Sequence, residues 1–321
     1  MADDWAFPEN LRPDPRQVRF DLEAAVDGVV ALRAEIPPDA FTASILGTLR
    51  SGNGIVIDDG LVLTIGYLIT EAHTVWLTTN DSRVVPAHPL AYDQATGFGL
   101  VRALGSLDLP ALARGRTAAT DIGDDVFVLG HGGQPHALKA TVIAKREFAG
   151  YWEYVLDEAL FTAPAHPQWG GAALVSTDGR VLGVGSLLVG ERVGDQTIQG
   201  NMVVPIDLLE PILADMLRLG HANRPPRPWL GMYTAQEDDV LIVGGLAERG
   251  PAEDAGVQVG DVVLEVAGQR PSGLADLFRK VWRLGDAGVE VPLTVARDEG
   301  PTRLRLRSAD RNDFLKKPRL H

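Results

Sequence analysis

The sequence predicts a mostly β protein, a large barrel or sandwich domain followed by a smaller α+β unit. Three observations carry this expectation. Short apolar runs recur from about 21 to 204: Gly54-Ile55-Val56-Ile57, Leu61-Val62-Leu63-Thr64, Val75-Trp76-Leu77-Thr78, Val126-Phe127-Val128-Leu129 and Val181-Leu182-Gly183-Val184. Runs of this length, separated by Gly, Asp, Asn and Pro, are the pattern of an all-β barrel or sandwich. A Pro-rich stretch, Asn223-Arg224-Pro225-Pro226-Arg227-Pro228, then stiffens the chain into an extended linker. Beyond it, β-runs at 240–243, 262–266, 291–295 and 304–306 surround one amphipathic stripe.

Each element follows from local chemistry. Residues 1–20 form a Pro-rich extension, ordered only where docked. Its Trp5 and Phe7 read as cover for a neighbouring surface in cis, or alternatively as the seed of an oligomer contact. Residues 21–218 form the large domain. Within it Asp58-Asp59-Gly60 and Ser176-Thr177-Asp178-Gly179 are hairpin turns, because Asp and Gly accept the positive φ such turns need. Leu208, Leu209, Ile212, Leu213, Met216 and Leu217 are spaced for a helix packed back on the barrels. Residues 219–227 are the linker and 228–308 the small unit. Its helix spans 274–284, with Leu274, Leu277, Phe278, Val281 and Leu284 on one face. Residues 309–321 are a solvated basic tail ending in Lys316-Lys317-Pro318-Arg319.

Composition limits the function. A chain of 321 residues, 45% hydrophobic and 23% charged, has apolar surface for two or three cores. A net charge of -13 repels phosphate backbones and anionic lipid, so neither nucleic acid nor a membrane is an expected partner. No cysteine is present, which excludes disulfides and thiolate chemistry, and no cofactor is expected. The acidic, Pro-containing start lacks an apolar signal core, and no run approaches the about 18 residues of a spanning helix. The expected compartment is the cytoplasm as the chain is given, or the periplasm if its true N-terminus is missing.

Several motifs together resemble the HtrA/Deg family of trypsin-like serine proteases. They are Gly52-Asn53-Gly54-Ile55-Val56-Ile57, Gly60-Leu61-Val62-Leu63-Thr64, Asp93-Gln94-Ala95-Thr96, Gly170-Gly171, Asp178-Gly179-Arg180-Val181-Leu182-Gly183-Val184 and Val204-Pro205-Ile206-Asp207. Their order and spacing cover nearly the whole chain. The resemblance implies a trypsin-like double six-stranded β-barrel followed by a small α+β PDZ domain.

Acyl transfer on that fold needs a hydroxyl nucleophile, an imidazole and an orienting carboxylate. Carried over residue by residue, the family's histidine position falls on Tyr67, its aspartate on Gly97 and its serine on Trp169. A phenol of pKa about 10 is a poor general base at neutral pH. Glycine orients nothing, and indole is no nucleophile. The oxyanion-hole glycine is replaced by Pro167, which has no N–H. Loss of one such donor costs about 10²–10³ in rate. The resemblance and these replacements together predict a pseudoprotease that is not an enzyme. The alternative is an active endopeptidase with relocated residues, for instance His73 or His166 with a nearby serine. His73, His131, His136 and His166 otherwise read as surface or loop histidines, Asp93 as a turn acid, and Ser51 and Ser176 as turn residues. The spacing of His131 and His136 is a weak metal signal, and no metal is expected. Trp169 reads as a plug in a former pocket, or as part of a cleft that still binds extended peptide.

Pro228-Trp229-Leu230-Gly231-Met232 resembles the carboxylate-binding loop of PDZ domains, and Pro251-Ala252-Glu253-Asp254-Ala255-Gly256-Val257-Gln258-Val259-Gly260-Asp261-Val262-Val263 the family's next block. Successive N–H groups at such a turn form a nest for a terminal carboxylate. Trp229, Leu230, Gly231 and Met232, with Leu274 and Phe278 of the helix, are the expected peptide-binding residues. Leu230 and Met232 read alternatively as plain core. The expected partners are polypeptide C-termini or unfolded segments with apolar ends, and an active HtrA-like relative. The resemblance also implies a homotrimer, with which Trp5 and Phe7 are compatible. The expected role is an adaptor, chaperone-like holder or regulatory subunit in protein quality control. A third reading is a structural subunit whose PDZ groove is occluded by the tail or by the barrels.

Overall fold

A computed structural model describes residues 5–193 and 196–316 of the chain. It divides into two compact units, one holding residues up to Arg146 and Glu158–Asn223, the other Glu147–Asp157 and Arg224–Leu315. This division differs from a simple split at the linker, because an eleven-residue excursion joins the second unit.

The first unit contains two closed barrels. Helix α1 (Leu22–Asp27) starts at Asp21, whose carboxylate accepts the Ala24 N–H at 3.0 Å. Strand β1 (Val29–Glu35) follows, then a short helix α2 (Ala43–Leu46), β2 (Leu49–Asp58), β3 (Leu61–Ile65), β4 (Thr74–Thr78), β5 (Val84–Tyr92) and β6 (Phe98–Ala103). They close in the order β1-β2-β3-β6-β5-β4. Flanked on both sides, β3 is buried at every position, and its one polar residue, Thr64, donates its hydroxyl to the Asn53 carbonyl at 2.7 Å. Asp59 and Gly60 turn β2 into β3, with Gly60 at φ +58°.

The second barrel uses β7 (Asp125–Leu129), β8 (Ala137–Gly150), β9 (Tyr154–Ala163), β10 (Ala173–Val175), β11 (Val181–Val193) and β12 (Gln196–Pro205). Its order, β10-β11-β12-β9-β8-β7, repeats that of the first barrel. Ser176 to Gly179 form the β10–β11 turn, Gly179 at φ +80°. The N-terminal extension docks here: the Phe7 N–H donates to the Pro135 carbonyl at 3.0 Å, and Phe7 and Leu11 pack on the barrel core.

The helix expected over 208–217 is corrected. The chain makes one 3-10 turn at Ile206–Leu208, then α3 (Leu213–Leu219), and Leu217 is exposed. Pro211 is the cause, since it lacks the N–H a continuous helix would need there. Among the described residues no helix is long and apolar enough to cross a membrane.

The second unit is a sheet of β13 (Met232–Glu237), β14 (Val240–Leu246), β15 (Val262–Val266), β16 (Glu290–Arg297) and β17 (Gly300–Arg307), paired in that order. A short helix α4 (Pro251–Asp254) and the longer α5 (Leu274–Trp282) complete it. Leu274, Leu277, Phe278 and Val281 of α5 are buried against Met232, Val243, Val263 and Val295. Each such side chain stabilises by about 1.5–3 kcal/mol. Asp261, 3% exposed, is held by the Arg297 guanidinium through Nε at 2.7 Å and a second nitrogen at 2.8 Å. The expected solvated tail is corrected in part: Ala309 pairs with Trp229, and the Phe314 ring lies 4.8 Å from the Trp229 ring.

Candidate functional site

The positions aligned with the family's catalytic residues come together in the first unit. Tyr67 lies in the 3-10 turn Gly66–Leu68 just after β3. Its phenol donates to the Ser186 carbonyl of the second barrel at 2.8 Å and is hydrogen-bonded to the Trp169 side chain. Burial pushes its pKa well above the ordinary value, with the Trp169 bond opposing. Gly97, at φ +81°, accepts the Gly66 N–H at 2.7 Å and so abuts the residue before Tyr67. Trp169 is half-buried, and a Cβ on its neighbour Gly170 would lie 2.9 Å from the Tyr67 oxygen. Gly171 shows how closely the barrels meet: at φ +78°, its Cβ would fall 1.9 Å from the Asn53 carbonyl oxygen.

The neighbouring loop is spoken for. Pro167 is exposed. The Gln168 N–H donates to His166 Nδ1 at 3.1 Å, which leaves the ring proton on Nε2, 2.8 Å from the His136 carbonyl. His166 is fully buried, its backbone is clamped by Asn201, and burial pushes its pKa down to about 4. The expectation of a surface or loop histidine is therefore corrected for His166: it is a neutral, buried loop residue beneath Trp5 and Phe7. His73 is exposed, and His131 faces the Thr79 carbonyl at 3.3 Å. Asp93 accepts the Thr96 N–H at 2.9 Å and its hydroxyl at 2.7 Å, a turn role. Ser51 is exposed, and Ser176 caps its own hairpin. Among the described residues no histidine is hydrogen-bonded to a serine or threonine hydroxyl, and no group of His, Cys, Asp and Glu could hold a metal ion.

The second unit holds the other expected site. Trp229 is buried, and its backbone pairs in both directions with Ala309 at 3.0 Å. Gly231 adopts φ +69°, a conformation glycine enters freely, and turns its N–H inward beside those of Leu230 and Met232. Leu230, Met232, Leu274 and Phe278 belong to one apolar cluster, so all six expected residues lie around this turn or the helix facing it. Gln236 ties β13 to α5 by accepting the Leu274 N–H at 2.9 Å.

The three N–H groups already have an acceptor. The carboxylate of Glu153, in the turn between β8 and β9, takes Leu230 at 3.0 and 3.1 Å, Gly231 at 2.7 Å and Met232 at 3.1 Å. Glu153 is 8% exposed, and burial raises its pKa to about 7 against the opposing pull of the three N–H bonds and the Arg311 charge. Sequence reasoning missed Glu153. Its only signal is an acid inside the aromatic turn Tyr151-Trp152-Glu153-Tyr154.

Comparison with known proteins agrees with both halves. Residues 52–184 match the trypsin-like peptidase domain family and residues 242–297 the PDZ domain family. A probable periplasmic serine endoprotease DegP-like of Halomonas elongata is 25% identical over 261 residues, 77% of this chain and 54% of that protein. Its namesake from Pseudomonas fluorescens is 26% identical over 77% of this chain and 53% of its own length. The serine endoprotease DegS of Haemophilus influenzae is 22% identical over 68% of this chain and 65% of its own. The chain thus spans about half the length of the DegP-like relatives it matches. Among solved structures, the HtrA-type protease AlgW with decapeptide superposes with a TM-score of 0.53 at 18% identity, covering 92% of this chain and 99% of that one, a likeness of fold.

These relatives correct one expectation. The replacements at 67, 97, 167 and 169 predicted a protein that is not an enzyme, yet the matching relatives are named serine endoproteases. The chain is thus homologous to HtrA-type proteases, with a trypsin-like peptidase domain at residues 52–184 followed by a PDZ domain at residues 242–297.

Proposed function

We propose that this chain captures polypeptide ends in its PDZ domain, at the turn formed by Leu230, Gly231 and Met232, and so recruits proteins for quality control. The observation that carries the reading is the set of three backbone N–H groups converging within 3.1 Å of a carboxylate. Aligned backbone donors of this kind recognise an anion without regard to the side chain that bears it. The buried cluster of Leu230, Met232, Leu274 and Phe278 favours an apolar last residue. Adaptor, chaperone-like holder and regulatory partner of a related endoprotease are the roles that fit. A homotrimer is part of the proposal, as is the periplasm, the compartment named for the DegP-like relatives. Fluorescence anisotropy with labelled peptides ending in Val tests it. Saturable binding that disappears on C-terminal amidation supports capture, and equal behaviour of acid and amide refutes it.

A second reading, endoproteolysis by this chain, is favoured by the names of the relatives. It requires a nucleophile outside positions 67, 97 and 169. Unfolded casein with a fluorophosphonate probe is the assay. Time-dependent cleavage with one labelled serine supports the reading and locates the nucleophile; neither signal, in repurified protein, refutes it.

A further inference from the structure

The Glu153 carboxylate occupies the place where a captured chain end would sit. We infer that the turn between β8 and β9 is an internal ligand of the PDZ groove, and that an incoming polypeptide terminus must displace Glu153 to bind. This rests on the peptide-capture reading above and deepens it.

Four observations converge. The first is the match of group to site: one buried carboxylate accepts the three successive N–H groups of Leu230, Gly231 and Met232. The second is a backbone contact beside it. The Thr234 N–H of β13 donates to the Tyr151 carbonyl at 3.2 Å, where a peptide adding to the sheet edge would make its own main-chain bond. The third is apolar. Val155, two residues after the carboxylate, is buried in the cluster of Leu230, Met232, Leu274 and Phe278. The fourth is the anchoring of both flanks: Arg279 of α5 forms ion pairs with Glu147 before the turn and Asp157 after it. Acid, backbone rung, apolar filler and ionic brackets together hold an excursion that a hairpin turn alone would not need. Glu153 itself sits at φ +61°, a left-handed conformation unfavourable for a side-chain-bearing residue and kept by its surroundings.

The groove is not filled along its length. A cavity of about 810 Å³, lined in part by Phe148, Tyr151, Gln236, Ser272, Arg279 and Arg283, stays open beside the turn. An arriving terminus therefore has somewhere to lay its preceding residues while its carboxylate competes for the three N–H groups. Because residues 151–153 connect β8 to β9, displacement frees the tip of a hairpin whose strands continue into the second barrel.

The test uses the full chain and its Glu153→Ala variant. Two readouts are taken: anisotropy of a fluorescein-labelled decapeptide ending in Val with a free carboxylate, and hydrogen exchange of the Leu230, Gly231 and Met232 amides without peptide. Removing a tethered competitor should tighten peptide binding by about 10-fold or more and speed exchange at those amides. A folded E153A protein with unchanged affinity and unchanged exchange overturns the inference. Should E153A lose its cooperative melt, E153D, which keeps the acid but shortens its reach to the three N–H groups by one methylene, is read the same way with a smaller expected gain of about 3-fold. If neither protein binds any peptide, the capture reading fails, and the exchange comparison alone still decides whether Glu153 fills the nest.

Discussion

Raising the pH from 5 to 8 should loosen the Glu153 turn and strengthen peptide binding. Docked, its carboxyl has a pKa of about 7, raised from the ordinary 4.5 chiefly by burial. The titratable groups coupled to it are Arg311, whose charge opposes the rise, and Tyr233. A folded-state pKa above the undocked one means that the docked form binds the proton more tightly. The stabilisation is therefore complete below about pH 4.5 and lost as pH climbs through about 7. Applying the two pKa values at pH 5 and pH 8 gives a change of about 2–3 kcal/mol, or on the order of 50-fold in the docking equilibrium. A peptide whose own carboxylate stays ionised across this range should gain affinity by a comparable factor. Anisotropy titrations at pH 5, 6, 7 and 8 measure it, with E153Q as the control expected to give a nearly flat profile. Affinity that falls with pH in the wild type, or a slope shared by E153Q, would refute the assignment of the effect to this carboxyl.

Three further outcomes follow from the packing. Tyr67→Phe leaves both the Ser186 carbonyl and the Trp169 side chain without their phenol partner and should destabilise by about 1–3 kcal/mol in urea denaturation. Gly171→Ala meets both a positive φ and the Asn53 carbonyl, and should destabilise by about 3 kcal/mol or more, read as a lowered Tm or loss of soluble protein. Leu277→Ala empties a fully buried site on α5 and should cost about 2–5 kcal/mol, seen as a lowered denaturation midpoint.

Much of the architecture was legible because local chemistry and tertiary need agree. The runs around Leu61–Thr64 and Val181–Val184 follow Asp-Gly turns and are buried on forming barrel strands. Gly231 announced a turn with a positive φ, and the Leu274, Leu277, Phe278 and Val281 stripe announced α5. The meeting of positions 67, 97 and 169 is what the resemblance to the HtrA/Deg family implies. Other features depend on contacts that no window of sequence contains. The identical strand order of the two barrels is set by pairings between distant strands, and the chain shows no repeat that reveals it. Glu153 reaches its nest across 77 residues, and His166 is buried by aromatic rings from the opposite end of the domain. Pro211 is different: the break it makes before α3 was visible, but apolar spacing outweighed it.

The seat that Glu153 holds sets a threshold. A rival carried on the same chain never diffuses away, and short tethers keep such groups at about millimolar local abundance. A visiting terminus at low level loses that contest at every encounter. Only when loose chain ends accumulate, as after damage to many proteins at once, would visitors win often enough to hold the pocket, so the response would be graded by load and not by any single molecule.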